Sequence, residues 1–437
     1  MEEVKVRYIY NIDDRPPLVL LVAYGVQWAL LLFPAVLMVT ALCAAALKMS
    51  DVARVSFVQL TFLVAGCFTF IQSLWGHRYP VLEGPATAHL LTMLSLEPYG
   101  IGAIQSGIIL GSLIMFILGF SGSISLFSRI FTRNIVVVIL ILIALTIAPH
   151  LALSLSGPPD NQNEAPRWLF FTFSSFIVLF TAFCNYRLKG LWGTLSLLIG
   201  VTVGTALYPF IGKLDFSIWN KASWISLPSL WTPVKPEMSI ISIVSFTIAY
   251  VAVLVNMLGS LTGIASVTDK SRLNTSLKRS LVINGLSGII CGVLGIVGLV
   301  SYSISPGVVI SQKVASRYAL AACGVIIIAI GLIPKIAAIF AFVPASVVSA
   351  VLCVAMGSQI GAALQITTSS ALTQRDGIVI GLPTLLGLIV AILPPDVASA
   401  TPPAVQVFLK NGLVSGIVLS LVMEHLLLRK NPEKEKE

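Results

Sequence analysis

The segment VLEGPATAHL, residues 81–90, places Glu83, Gly84 and Pro85 inside otherwise apolar sequence. A carboxylate, a glycine and a proline each disfavour a continuous transmembrane helix at this point. A second segment, GLVSYSISPGVVISQ, begins at Gly298 and carries Pro306. In each segment a short β-compatible stretch is followed by a proline where a helix can begin, and then by small residues. We therefore predict two broken segments, each an extended stretch followed by a half-helix.

The surrounding sequence is that of a membrane protein. The chain has 437 residues, of which 57% are hydrophobic and 10% charged, with a mean hydropathy of +0.97. Soluble domains carry about 25% charged residues, and a membrane-spanning helix needs about 20 mostly apolar ones. Division at charges and Gly/Pro clusters gives about fourteen hydrophobic segments, so we predict an all-α polytopic membrane protein. The net charge of +9 is explained by basic loops, and no nucleic-acid partner is expected.

The two broken segments indicate an internal repeat. Pro85 and Pro306 are 221 positions apart, about half the chain. Paired, interrupted hydrophobic segments in two halves are typical of a transporter with its binding site at the repeat interface. We predict a first repeat at about 17–212, an outer connection at 213–237, a second repeat at about 238–428 and a cytoplasmic tail at 429–437. Seven spans in each half make the repeat inverted. An ordinary proline-kinked helix remains the alternative for each segment.

The distribution of basic residues predicts the orientation. With fourteen spans and both termini inside, 19 Lys and Arg residues fall on the inner side and 8 on the outer side. This bias follows the positive-inside rule. We therefore expect a multi-pass protein of the cell membrane with cytoplasmic termini.

Several stretches of the chain resemble the nucleobase–ascorbate transporters, also called the xanthine/uracil permease family, and most closely its purine permease branch. Their order and spacing carry the resemblance more than any single stretch does. They are YGVQWALLLFP (24–34), GHRYPVLEGP (76–85), VNMLGSLTGIASVTD (255–269), RSLVINGLSGIICGVLG (279–295) and FVPASVVSAVLCV (342–354).

The resemblance implies both a fold and a function. It implies seven plus seven inverted spans, with a core domain of spans 1–4 and 8–11 and a gate domain of spans 5–7 and 12–14. Short strands in spans 3 and 10 would meet at the substrate site. The expected function is secondary active transport of a nucleobase-like heterocycle, such as xanthine, urate or uracil, by alternating access. Coupling to H⁺ or Na⁺ and a homodimer are expected, with no cofactor or metal.

The chain departs from the family pattern at the substrate site. Asn256 stands where members usually carry a glutamate in span eight, and Ser260 where some carry a histidine. In span ten, the segment from Ile304 to Gln312 retains only Gly307 of the family pattern. The resemblance therefore leaves the exact substrate and the coupling ion open.

Candidate substrate-binding residues come from the first span, the two broken segments and span eight. Asn256, Ser260 and Gly263 lie on one face of the predicted helix. This face is either a packing seam between helices or the wall of a cavity. His89 is either a ligand or a packing histidine. The full set is Gln27, Trp28, Glu83, Thr87, His89, Asn256, Ser260, Ser303 and Ser305.

Glu83 is the one carboxylate expected deep in the membrane, and we predict that it couples protons. The alternative is that it caps a half-helix or pairs with a basic residue such as Arg78. The other acidic residues of the apolar segments lie near span ends or in a turn. We expect those, Asp269, Asp376, Asp396 and Glu424, to be solvated or structural.

Two other functions remain open. A transporter of the same fold could carry an anion such as sulfate, bicarbonate or a carboxylate, since two helix N-termini would face one site. A facilitative, channel-like carrier would need a continuous polar pore, which the sequence does not indicate. An enzyme is not expected, because the chain shows no nucleophile elbow, phosphate loop or metal-ligand spacing.

Overall fold

The computed structural model describes residues 8–121, 130–157, 165–233, 235–368 and 372–429, and these residues are mostly helical. Residues 430–437 of the expected tail lie outside the described part. The elements in chain order are α1 (Leu18–Ala46), α2 (Asp51–Leu74), β1 (Glu83–Pro85), α3 (Thr87–Ser95), α4 (Gly100–Ser121), α5 (Arg133–Thr146), α6 (Ala148–Leu155), α7 (Arg167–Arg187), α8 (Gly190–Thr194), α9 (Ser196–Leu207), α10 (Ser217–Lys221), α11 (Ile240–Val267), α12 (Leu273–Leu294), β2 (Leu299–Ser301), α13 (Ser305–Gln312), α14 (Arg317–Gly331), α15 (Pro334–Phe342), α16 (Ala345–Thr368), α17 (Gln374–Ala391), α18 (Pro395–Ser399), α19 (Pro403–Leu409) and α20 (Gly412–Val422).

Both broken segments have the predicted form of a strand followed by a half-helix. β1 and β2 pair antiparallel, with Glu83 opposite Ser301 and Pro85 opposite Leu299. Pro306 lies in the first turn of α13, as expected. Pro85 is instead the last residue of β1, and its half-helix begins at Thr87, so the expectation that Pro85 starts the helix is wrong. Proline has no backbone N–H to donate, and at the last position of such a short strand the pairing does not require one.

Gly84 makes the strand pair possible, because a larger residue has no room there. A Cβ atom on Gly84 would lie 2.3 Å from the Tyr302 hydroxyl and 2.7 Å from Leu32. The glycine in the opening segment therefore allows α1 and β2 to approach β1 closely.

Nine helices of the described residues are long and apolar enough to cross a membrane. The count rises to ten if α14 and α15, which meet at an angle of 82°, form one broken span. Two further apolar helical stretches are shorter, Ser196–Phe210 and Gly412–Leu427. The chain is thus a multi-pass membrane protein, and these lengths alone do not reach the expected fourteen spans.

The helices pack into two sets. The first helix set contains α1, α2, α4, α11, α12 and α14, with α4 against α12 and α2 against α14 as its main contacts. The β1–α3 and β2–α13 units pack against this set. The second helix set contains α5, α7, α9, α16, α17 and α20. Small residues allow the closest approach within the first set, since a Cβ atom on Gly66 would lie 2.8 Å from the Gly324 carbonyl oxygen.

A buried polar cluster joins α5, α17 and the end of the chain in the second set. The Asn134 amide donates to Asp376 (2.7 Å) and Glu424 (3.1 Å). Arg375 lies 3.3 Å from the Glu424 carboxylate, and both acidic side chains are 5% exposed. Of the two expectations for these acids, solvated or structural, burial and pairing support the structural one. Asp269 pairs with Arg272 at 2.9 Å and is partly exposed.

Candidate functional site

A cavity of about 240 Å³ lies between the two helix sets. Its first wall comes from α1, the start of α3, α11 and the residues around β2. Its second wall comes from α5, α9 and α16. Most of the lining is aliphatic. The lining residues are Leu31, Pro34, Ala35, Leu37, Met38, Pro85, Ala86, Thr87, Ala88, Ile143, Leu197, Val201, Ala252, Val253, Asn256, Val300, Tyr302, Ser303, Ile304, Val348, Val351, Leu352, Ala355, Met356 and Gln359.

A few polar side chains interrupt this apolar lining. Three of them, Thr87, Asn256 and Ser303, are among the residues singled out from the sequence. The Asn256 carboxamide makes no hydrogen bond to any residue that the structure describes, whereas its backbone carbonyl accepts from Ser260. Gln359 lies on the second wall, and its amide donates to the Leu140 carbonyl at 3.0 Å. An apolar cavity with few polar groups is the usual form of a small-molecule site.

Both half-helices begin at the cavity. Ala86 is the N-cap of α3 and Ile304 is the N-cap of α13, and neither helix has a side chain that caps its first turn. Ala86, Thr87, Ala88 and Ile304 all line the cavity. The positive ends of the two helix dipoles therefore favour electronegative atoms of a ligand here.

Ser260 and Ser305 lie next to the cavity but do not line it. The Ser260 hydroxyl is 2.8 Å from the Ser301 carbonyl oxygen, and the Ser305 hydroxyl accepts from the Leu82 amide at 3.2 Å. Gly263 packs against Pro306. The polar face of α11 is therefore divided: Asn256 forms part of the cavity wall, and Ser260 and Gly263 form a packing seam with the second broken segment.

Three further predicted residues also lie outside the cavity lining. Trp28 is completely buried, and Gln27 is half-buried on the same helix. His89 is completely buried, with its ring centroid 4.1 Å from that of Tyr250 and its Nδ1 close to Gly298. This arrangement supports the packing alternative for His89. Contact of any of the nine candidates with a ligand stays a prediction.

Glu83 is buried next to the cavity but does not line it. The Ser301 hydroxyl donates to Glu83 Oε1 at 2.6 Å, and His77 Nε2 lies 3.4 Å from the same oxygen. Arg78, the partner considered from the sequence, is exposed and makes no ion pair with Glu83. His77 was missed by sequence reasoning, although it lies in GHRYPVLEGP only six residues before Glu83.

Two strand–helix units that meet beside a cavity between two helix sets are typical of a membrane transporter. The chain belongs to the permease family, since the xanthine/uracil permease model, described as "Permease family", matches residues 20–395. This membership confirms the resemblance of the sequence. The protein is a permease and not an enzyme.

Named relatives extend over most of the chain. A putative purine permease of Clostridium perfringens is 25% identical over 432 residues, which cover 98% of this chain and 94% of the relative. The uric acid permease PucK of Bacillus subtilis is 27% identical over 424 residues, covering 94% of this chain and 96% of the relative. The uracil permease of Escherichia coli is 25% identical over 356 residues, covering 79% and 78%.

Solved structures share the fold at low sequence identity. The transmembrane domain of the cyanobacterial bicarbonate transporter BicA matches with a TM-score of 0.57 and 13% identity, covering 86% of this chain and 97% of that one. The murine anion transporter Slc26a9, in its inward-facing state, matches with a TM-score of 0.58 and 11% identity, covering 94% and 69%. These likenesses identify a transporter fold.

Proposed function

We propose that the protein transports a nucleobase-like heterocycle, a purine such as xanthine or urate, or uracil, across the cell membrane. The observation that carries the proposal is the Asn256 carboxamide in the wall of an apolar cavity, which has no hydrogen-bond partner among the described residues. An amide both donates and accepts hydrogen bonds, which suits the mixed donors and acceptors on the edge of a nucleobase. A volume of about 240 Å³ is slightly below the range of about 300–1,000 Å³ for drug-sized ligands, so it suits a small planar one.

The names of the relatives support this substrate class. They include a purine permease, a uric acid permease and a uracil permease, each similar to this chain over most of its length. The particular base is set by the hydrogen bonds available in this cavity, where Asn256 replaces the acidic residue usual in the family.

We propose fourteen membrane segments in two inverted repeats of seven. Nine long helices, the bent pair α14–α15, two shorter apolar stretches and the two strand–helix units together supply that number. The first helix set corresponds to a core domain and the second to a gate domain. In this proposal, transport by alternating access moves the core set against the gate set around the cavity.

The basic residues of the loops support a location in the cell membrane with both termini in the cytoplasm. A homodimer remains part of the proposal by analogy with the family. Nucleic acid, metal and cofactors have no role in it.

We propose that Glu83 couples transport to protons, with Na⁺ as the alternative ion. Its side chain is 1% exposed, and it accepts a hydrogen bond from Ser301 across the strand pair that carries both half-helices. A buried carboxyl group that gains and loses a proton would change how tightly β1 and β2 are held together. Substitution by glutamine keeps the shape and removes the titration.

An anion transporter is the second candidate. The two uncapped helix N-termini and the likeness to BicA and Slc26a9 favour it. The cavity argues against it, because none of the described residues that line it carries a positive charge. A small anion would have to leave water for a largely aliphatic site without a cationic partner.

Uptake of labelled xanthine, urate and uracil in cells that lack their own nucleobase transporters tests the substrate class. We expect saturable uptake of the labelled base, and we expect unlabelled base to reduce this uptake by competition. Absence of uptake with the protein present in the membrane, or saturable uptake of sulfate or bicarbonate alone, would contradict the proposal.

The coupling is tested with Glu83→Gln. We expect loss of concentrative uptake and of its pH dependence, while exchange of substrate across the membrane persists. Glu97→Gln is the matched control, since Glu97 lies just beyond the other end of α3 and is partly exposed. A wild-type pH profile in Glu83→Gln would exclude Glu83 as the coupling residue.

A further inference from the structure

His77 and Glu83 form a buried pair at the crossing of the two broken segments. His77 is 0% exposed and Glu83 is 1% exposed. The Nε2 atom of His77 lies 3.4 Å from Glu83 Oε1, a close polar contact that is longer than a hydrogen bond, and it has no hydrogen-bond partner among the described residues. A buried carboxylate is costly unless it is paired, and no lysine or arginine in the described part of the chain forms an ion pair with Glu83.

The other ring nitrogen of His77 determines where the ring carries its proton. The Tyr79 backbone N–H donates to His77 Nδ1 at 3.0 Å. Arg78 adopts a left-handed φ of 57°, which turns the chain so that this amide reaches back to the ring. Because Nδ1 accepts a hydrogen bond, the proton of the neutral imidazole lies on Nε2 and faces Glu83. Protonation of both nitrogens would break the bond from Tyr79.

The neighbouring elements leave His77 as the main electrostatic partner of Glu83. The α2 helix contributes Thr69, which bonds the Glu83 backbone, and its charged residues are at its opposite end. The α1 helix contains no charged residue. β2 contributes the Ser301 hydroxyl, and the next residue, Tyr302, places its phenol 3.4 Å from the Pro85 carbonyl oxygen.

We infer that His77 is a positioning residue for Glu83, and that it sets the pH at which transport changes. The inference rests on the proposed coupling role of Glu83. The neutral ring donates its Nε2 proton toward the carboxylate and, with Ser301, holds the charged side chain between β1 and β2. While the Tyr79 amide donates to Nδ1, the proton of the neutral ring stays on Nε2. The transported proton therefore resides on Glu83, and His77 stabilises the state in which Glu83 has released it.

Two substitutions separate this role from a purely structural one. In His77→Gln, the glutamine amide nitrogen replaces the Nε2 donor that faces Glu83. In His77→Asn, the shorter side chain replaces the Nδ1 acceptor that binds the Tyr79 amide, but it cannot reach Glu83. We expect His77→Gln to keep the wild-type pH profile of substrate uptake. We expect His77→Asn to move the midpoint of that profile to higher pH by about one unit, because the charged carboxylate loses the nearby imidazole N–H and keeps only the Ser301 hydroxyl.

The reverse result, with His77→Asn like wild type and His77→Gln altered, would show that His77 only caps the turn at Tyr79 and would overturn the inference. Wild-type profiles in both variants, with pH dependence abolished in Glu83→Gln, would also overturn it while leaving the coupling proposal intact. A wild-type profile in Glu83→Gln would instead remove the coupling proposal itself.

A measurement on the unmodified protein avoids any folding defect of the variants. The ¹⁵N NMR signals of histidine-labelled protein, assigned with His77→Gln where it folds or by selective labelling, report which ring nitrogen is protonated. We expect His77 to carry its proton on Nε2 across the pH range of transport. Protonation of Nδ1, or of both nitrogens within that range, would overturn the inference.

Discussion

Replacement of Asn256 by alanine tests the proposed substrate contact without disturbing the fold. The carboxamide lines the cavity and makes no hydrogen bond to another described residue, so its removal leaves no protein group unpaired. A bound heterocycle would instead face the apolar wall formed by Ala252 and Val253 with an unpaired polar edge. Such a loss costs about 1–3 kcal/mol, which corresponds to roughly 5- to 150-fold weaker binding.

Isothermal titration of the purified protein with its tightest-binding nucleobase measures this difference directly. The unfolding temperature of the ligand-free Asn256→Ala protein should stay close to that of wild type, since the substitution removes no hydrogen bond between the amide and a described residue. Thr262→Ala is the matched control, because Thr262 is exposed on the same helix and does not line the cavity. Equal affinity of wild type and Asn256→Ala would refute the assignment of Asn256 as a substrate contact.

Three further outcomes are expected. Gln359→Leu should weaken substrate binding by about tenfold, the effect of roughly 1.4 kcal/mol, and an unchanged dissociation constant would exclude the second wall from recognition. Gly66→Ala should destabilise the protein by about 1–3 kcal/mol through overpacking against α14, as measured by thermal unfolding, whereas Gly377→Ala has open space and should not. A hydrogen bond from Arg272 lowers the pKa of Asp13. This contact therefore stabilises the folded protein at pH values above the ordinary pKa of an aspartate, and the stabilisation is lost as the pH falls through the lowered pKa. Asp13→Asn should therefore speed amide exchange of the N-terminal segment at pH 7, and unchanged exchange would contradict a role for this contact.

The broken segments were predictable because their signals are local. Pro85, Gly84 and Pro306 interrupt apolar sequence, and such residues restrict the backbone wherever they occur. The pairing of Glu83 with Ser301 was not predictable, since it joins residues 218 positions apart. The resemblance implied that the strands meet, but the register depends on how both half-helices pack against α11.

Which of the candidate residues line the cavity also depends on tertiary packing. Helical spacing places Asn256 and Ser260 on one face, and only the position of β2 decides that Ser260 is covered while Asn256 lines the cavity. His77 lies in the stretch GHRYPVLEGP, but nothing in that stretch indicates which of its side chains approaches Glu83. The structure places its Nε2 atom 3.4 Å from the Glu83 carboxylate, beside the left-handed turn at Arg78.

The most direct test of the central claim is a cryo-EM reconstruction of the purified protein with its tightest-binding nucleobase. We predict a planar ligand between the two helix sets, with its polar edge within hydrogen-bond distance of the Asn256 carboxamide and its face against the aliphatic wall around Val351. A nucleobase bound outside this cavity, or the absence of nucleobase binding together with saturable binding of sulfate or bicarbonate, would contradict the account.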